Sequence, residues 1–327
     1  MKAWLLDSPG GLSKIRMGEA KDPAPKSGEV ILRVIFAALN PADRYLAEGL
    51  YPAKPMFPHI LGRDGIGVVE SAADDVTDFK PGDKAVLVRS EVGINLPGTF
   101  AEKVAVHVES LVKPENNWSD EQAASSTLVY LTALQALTMW GAMASGIILI
   151  TGASGGVGCA SVHLAKALGH TVVGLSRDRE KSKRLIEEGA DHVFDPSDTD
   201  WRKKMRDALG GKKIDLAIDH IGGSLFNEIV DSLAYAGRVS CVGRLAGPVP
   251  QFNTASLFFR RIRIGGVAVG DCTPVQSREG WKRVVELLQQ TNRRPLVDCV
   301  FPFERLIDAF EHLAKGPMGK VLLKIPQ

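Results

Sequence analysis

With 327 residues and 45% apolar composition, the chain is long enough to bury two separate cores. Its 40 basic and 38 acidic residues leave a formal charge of +2 and form no long single-sign run, which argues against a nucleic-acid partner. Cys159, Cys241, Cys272 and Cys299 are far apart, with no C-x-x-C and no histidine at ligand spacing, which argues against a disulfide scaffold or a structural zinc.

In chain order, the opening MKAWLLDSPGG lacks a basic segment leading into a long apolar one, so no secretory leader is expected and the compartment reads as cytoplasmic. Short runs at Val30–Phe36, Gly65–Val69 and Lys84–Val88, broken by Pro and Gly, predict a β-rich domain. Gln122 to Ala165 holds no charged residue, but Ser125, Ser126, Thr127, Gln135, Ser145, Thr151, Ser154 and six glycines interrupt it, so no membrane span is expected. Apolar strands at Ile147–Thr151, Thr171–Leu175, Ile214–Ile218 and Arg238–Val242 then alternate with helical stripes, the pattern of a doubly wound parallel sheet. The stripes are Val157/Ala160/Leu164/Leu168, Trp201/Met205/Leu209 and Leu225/Ile229/Leu233, and the basic cluster Arg202–Arg206 reads as a wetted helix face. Arg261–Ile264 alternates as an edge strand would. The tail predicts helices around Trp281–Leu288 and Leu306–Leu313 and a closing strand Lys320–Ile325.

The segment Ile147 to Gly158 passes from a buried strand through a glycine turn into a helix. That context makes Ala153, Ser154, Gly155, Gly156, Val157 and Gly158 a diphosphate cradle: the glycines admit the ligand to the backbone, and helix N-terminal N–H groups face its charge. Ala153 stands in the place of the motif's first glycine. The second strand ends in Ser176 and Arg177 rather than an acidic residue, and Lys181 follows. A hydroxyl and two cations suit the 2′-phosphate of NADPH better than the free ribose of NADH, unless these are solvated surface charges and Asp178 turns to a ribose.

Several segments together resemble the zinc-independent quinone oxidoreductases of the medium-chain dehydrogenase/reductase superfamily, whose zinc-type members are the alcohol dehydrogenases. They are Asn40–Asp43 with Gly49–Pro52, Gly62–Glu70 with Phe79–Ala85, Leu131–Ala133, the Gly152–Gly158 turn, and Gly319–Leu322. The resemblance covers essentially the whole chain and implies an α/β architecture in which a Rossmann domain is inserted into a GroES-like catalytic domain. The expected boundaries are 1–120 and 268–327 for the catalytic domain and 121–267 for the Rossmann domain. It also implies an active-site cleft between domains and a homodimer joined along Rossmann sheet edges. Thr132 and Gly243 join the expected cofactor contacts, although a helix-interior threonine also bonds its own backbone. One family feature is missing: a tyrosine after the third Rossmann strand that helps hold the 2′-phosphate, where this chain has His192-Val193-Phe194-Asp195-Pro196.

Zinc-dependent relatives carry a cysteine where this chain has Asn40 and a histidine where it has Arg63, and the structural-zinc lobe is replaced by the short Arg89–Gly98 stretch. An amide is a poor zinc ligand and a guanidinium is permanently cationic, so no zinc is expected. Hydrogen-bond donors must then meet charge on the acceptor. Tyr51 is the first candidate, since a phenol is protonated at neutral pH and can donate, and Asn40 is the second. Asp43 reads first as a turn or cap residue, His59 as structural, and His220 as a loop residue at the cofactor side of the sheet. The expected activity is NADPH-dependent reduction of a small quinone or α,β-unsaturated carbonyl. Gly49–Pro55 also resembles the tyrosine-bearing segment of 2-enoyl thioester reductases, and a catalytically silent, crystallin-like NADPH-binding protein is the non-enzyme alternative.

Overall fold

Apolar runs between glycine and proline breaks become strands throughout the chain, and three- and four-residue apolar stripes become the helices between them. A computed structural model describes residues 1–89, 91–248 and 251–327, so Ser90 of the Arg89–Gly98 stretch lies outside the described residues. In order the elements are β1 (Lys2–Leu6), β2 (Ile15–Glu19), β3 (Glu29–Ala38), α1 (Pro41–Ala47), β4 (His59–Ile60), β5 (Gly65–Ala72), β6 (Lys84–Leu87), β7 (Lys103–His107), β8 (Leu111–Val112), α2 (Asp120–Ala124) and α3 (Thr127–Thr138). The alternating part follows with β9 (Ile147–Ile150), α4 (Gly156–Ala167), β10 (Thr171–Leu175), α5 (Arg179–Glu187), β11 (His192–Phe194), α6 (Trp201–Ala208), β12 (Ile214–Asp219), α7 (Leu225–Ser232), β13 (Leu233–Cys241), α8 (Ala255–Phe259) and β14 (Arg263–Gly266). The tail adds α9 (Pro274–Thr291), β15 (Val297–Pro302), α10 (Leu306–Ala314) and β16 (Lys320–Lys324).

Two units emerge, one of residues 1–128, 272–281 and 294–327, the other of 129–271 and 282–293. In the first, a three-stranded sheet (β2-β1-β4) accompanies a larger one ordered β15-β16-β3-β5-β6-β8, with β7 also paired to β3. Its core runs from Leu6, Leu32 and Phe100 to Phe303, Phe310 and Leu323. The tail strand β16 pairs antiparallel with β3, Leu322 opposite Ala38. This pairing makes the alternating region an insertion within a GroES-like β domain.

The second unit is a six-stranded sheet ordered β11-β10-β9-β12-β13-β14, parallel at every pairing. The order reverses direction between β9 and β12, which in wound sheets puts the ligand crevice at the carboxyl ends of these strands. Trp201, Met205, Ile214, Ile229 and Val239 fill its core. Two expectations need correcting. Leu233 is not the last position of a helical stripe: α7 stops at Ser232, and Leu233 turns extended (φ −69°, ψ 149°) to open β13 opposite Ile214. The edge strand begins at Arg263 rather than Arg261, because Arg261 holds the left-handed φ of 53°, which breaks an extended run. No helix among the described residues is long and apolar enough to cross a membrane.

Candidate active site

The cradle in the second unit is made of backbone. Gly152 takes φ 55°, a left-handed conformation that glycine adopts without strain, and the chain reverses so that Gly155 N–H donates to Gly152 O at 3.0 Å. Gly155 then caps the twelve-residue helix α4, which begins at Gly156. A methyl on Gly158 would sit 2.3 Å from Gly152 O and 2.6 Å from Ala153 O, so glycine there lets α4 close against the turn. A methyl on Gly155 would meet nothing nearer than Gly152 O at 3.5 Å, which leaves the open side of the turn for a ligand. Ala153 is buried, with its methyl group against Gly174 of β10, while Ser154, Gly155, Gly156 and Val157 stay partly exposed. An unpaired helix N-terminus beside a glycine-lined opening fits a dinucleotide diphosphate.

Neighbouring strand ends lock the turn in place. Thr151 Oγ1 donates to Asp219 Oδ1 at 2.8 Å, and the same carboxylate accepts from Ile221 N and Gly222 N. His220 Nδ1 lies 2.6 Å from Thr151 O, so that nitrogen carries the proton, and Nε2 is buried without a partner. Burial holds His220 below the ordinary imidazole range. Gly243, after β13, must be small because a methyl there would lie 2.8 Å from His220 O. Thr132 is half-buried on α3.

At the end of β10, Ser176 is buried and Arg177 is exposed, and Lys181 lies in the first turn of α5. Asp178 is committed elsewhere: its carboxylate caps α5, accepting from Lys181 N at 2.9 Å, and this bond holds its carboxyl below the usual range. The one acidic group that competed for a ribose hydroxyl therefore serves as a helix cap.

In the first unit, Asn40 belongs to a buried polar cluster, with the half-buried Tyr51 at its border, that reaches well beyond what the sequence suggests. Asn40 N donates to Asp43 Oδ2 at 2.9 Å, the cap expected of Asp43. The other oxygen of Asp43 accepts from Arg63 Nε at 2.9 Å, and both side chains are withdrawn from solvent. The Arg63 guanidinium also lies 4.6 Å from the centroid of the Tyr51 ring, a cation–π contact that orients it. Lys320 from β16 is buried; its Nζ donates to Asn40 Oδ1 and Leu39 O, both at 2.7 Å, and approaches Asp64 Oδ2 at 3.4 Å. Thr127 donates to Asp64 Oδ1 at 3.2 Å. Burial pulls the Lys320 ammonium below its usual range and pushes the Asp64 carboxyl above its own, each opposed by the other's charge. Asp64, Lys320 and Thr127 were not singled out from the sequence; the first two lie in segments that carry the family resemblance, but no spacing connects them.

This cluster bears on the metal that the zinc-type relatives carry. Asn40 Oδ1 is taken by Lys320, and Asn40 Nδ2 donates to Ala38 O at 3.2 Å. Arg63 has no lone pair to offer and is held by Asp43. The donor set does not fit zinc.

Residues 26–116 match the alcohol dehydrogenase GroES-like domain family and residues 156–290 the zinc-binding dehydrogenase family. The chain is 30% identical over 308 residues to quinone oxidoreductase of Sus scrofa, covering 92% of this chain and 90% of that protein. It is also 30% identical over 352 residues to acryloyl-coenzyme A reductase of Sulfurisphaera tokodaii, covering 99% and 100% respectively. A crystal structure of an NAD-dependent alcohol dehydrogenase superposes over the full length of both chains, with TM-score 0.92 and 27% identity. With an inserted Rossmann sheet, a glycine cradle in the required context and relatives matching from end to end, the chain belongs to the quinone oxidoreductase-like branch of the medium-chain dehydrogenase/reductase superfamily and is an oxidoreductase of that family.

Proposed function

We propose that the chain reduces a quinone or an α,β-unsaturated carbonyl with NADPH and uses no catalytic metal. The observation that carries this reading is the occupancy of the zinc-ligand positions by Asn40 and Arg63, each already bonded within the protein. Residues 153–158 would hold the diphosphate on backbone N–H groups, while Ser176, Arg177 and Lys181 would meet the 2′-phosphate; with Asp178 spent as a cap, no carboxylate there competes for a ribose. Thr132 and Gly243 would border the rest of the coenzyme. Bound there, the reduced nicotinamide supplies the hydride. Tyr51, oriented by Arg63, donates a hydrogen bond or a proton to the acceptor. Asn40 acts through position: with its oxygen held by Lys320 and one N–H on Ala38, a single N–H is left to present.

A second reading, 2-enoyl thioester reduction, is favoured by the acryloyl-coenzyme A reductase relative. Assaying NADPH and NADH oxidation against quinones, simple enones and 2-enoyl thioesters separates the two. We expect NADPH to be preferred and Tyr51→Phe to lower kcat/KM roughly 100-fold. Turnover confined to 2-enoyl thioesters would replace the first reading by the second, unchanged Tyr51→Phe rates would remove the donor, and tight NADPH binding without any turnover would leave a silent, crystallin-like protein.

The assembly we propose is a homodimer joined through the β14 edge. Ile264 there is 37% exposed, and the nearby Phe258 and Phe259 of α8 are 65% and 74% exposed, more apolar surface than a lone edge strand leaves to water. Light scattering should return twice the 35.2 kDa of one chain, and a monomer at micromolar concentration would refute the interface. No disulfide joins Cys159, Cys241, Cys272 or Cys299, in keeping with a reducing compartment, and we place the protein in the cytoplasm.

A further inference from the structure

Successive residues of a regular strand face opposite sides, so Asp298 and Cys299 of β15 should diverge. They do not, because the pairing with β16 slips: Val297 stands opposite Lys320 and Cys299 opposite Val321, which makes Asp298 the extra residue of a bulge. A bulge re-aims side chains, and here it brings the carboxylate and the thiol to the same place. His312 of α10 completes the group, with Nε2 2.7 Å from Asp298 Oδ2. Among the described residues, this is the one group of three such side chains whose potential ligand atoms converge, all within 4.8 Å of one another.

We propose that Asp298, Cys299 and His312 form a binding site for a zinc-like divalent transition-metal ion, sharing no residue with the Asn40 and Arg63 positions. One oxygen, one sulfur and one imidazole nitrogen make the mixed donor set that borderline metals such as zinc and cobalt accept. Supporting contacts hold the ligands as outer-shell groups do in known sites. Met318 N donates to Asp298 Oδ1 at 3.0 Å, leaving Oδ2 for the ion, and the Phe301 ring stands 5.6 Å from that of His312. Tetrahedral zinc places such donors roughly 3.3–3.8 Å apart, so a spread of 4.8 Å closes with modest side-chain rotation. The Asp298 and His312 side chains are 23% and 35% exposed, which lets an ion enter and water complete the coordination. A carboxylate and a thiolate cancel a double positive charge. The nearby cation Arg305 is already paired with Asp308 at 2.7 Å.

Without metal the Cys299 thiol is hydrogen-bonded to Asp298. Metal binding converts this: the ion forms a bond to sulfur and the thiol proton leaves to solvent. The plainer alternative, an Asp298–His312 ion pair that only fastens α10 to β15, gives the thiol no part.

Cobalt(II) titration of the metal-stripped, full-length protein distinguishes the two. We expect a near-ultraviolet sulfur-to-cobalt charge-transfer band that saturates at one equivalent, is displaced by zinc, vanishes in Cys299→Ser, and needs at least tenfold more cobalt in His312→Ala. No band in the wild-type protein would overturn the site, as would a band that survives in Cys299→Ser, where Cys159, Cys241 and Cys272 remain. If Cys299→Ser fails to fold by circular dichroism, His312→Ala decides: its half-exposed ring is removable, and undiminished cobalt affinity there also overturns the proposal.

Discussion

Between Gly152 and Gly158 the second unit turns backbone alone into a glycine-lined opening at a helix N-terminus, whereas the first unit buries two cations and two carboxylates, Arg63, Lys320, Asp43 and Asp64, around Asn40. The two solve different electrostatic problems. A cradle of N–H groups offers partial charge without burying a formal one, so it stands ready for a ligand at little cost in stability. The ionic cluster removes full charges from water, and only mutual pairing makes that tolerable. Mutations on the open side of the turn should therefore register in binding, and those in the ionic cluster in folding.

The largest test of this difference is Lys320→Met. It strands Asp64 in the interior, and we expect urea unfolding to show a loss of about 3–5 kcal/mol; a loss below about 1 kcal/mol would mean the cluster is no stronger than a surface pair. Next come two glycines of the cradle. Gly158→Ala pushes a methyl group into backbone oxygens at 2.3 and 2.6 Å and should cost about 1–3 kcal/mol of stability. Gly155→Ala should leave the melting temperature unchanged yet weaken NADPH about tenfold, roughly 1.4 kcal/mol, in a fluorescence titration. If Gly155→Ala binds as tightly as the parent, the open side of the turn does not receive the diphosphate.

The smallest effect concerns His220, an imidazole buried beside Asp219 against the turn. Burial lowers its folded pKa, so below about 6.5 the unfolded chain takes up a proton that the native state refuses. Its share of stability is complete above that pH and is lost as pH falls, by at most about 1.4 kcal/mol per pH unit. His220→Gln should flatten the decline in urea midpoint between pH 7 and pH 5.5 relative to wild type, and parallel curves would show that His220 charges freely in the native state.

The same contrast explains what could be read from the sequence. The turn is contiguous, so the order of strand, glycine turn and helix that the sequence implies between Ile147 and Gly158 is the order the structure has. The wound sheet was equally legible, because its strands are buried runs between helical stripes; β10 has the expected limits, Thr171 and Leu175. Leu233 misled because a four-residue step continues through the helix end, and only its pairing with Ile214 makes it strand. The ionic cluster draws on positions 40, 43, 63, 64, 127 and 320, and no local pattern says that a lysine in an apolar closing strand will bond an asparagine 280 residues away. Family likeness draws attention to Tyr51 and Asn40 but not to the partners that hold them, Arg63 and Lys320. Asp298 and Cys299 were hidden for a related reason, since a bulge defeats the alternation by which a strand is read.

That span of 280 residues between Asn40 and Lys320 also orders events during synthesis. The Rossmann strands β9 to β14 lie within one continuous stretch and can dock as they leave the ribosome. Asn40, Asp64 and the exposed flank of β3 must wait for β16. Until it arrives, the nascent β domain carries an open strand edge at Phe36–Ala38 and a carboxylate without its counter-ion, so the translating chain, more than the finished protein, is the form that chaperones would need to shield.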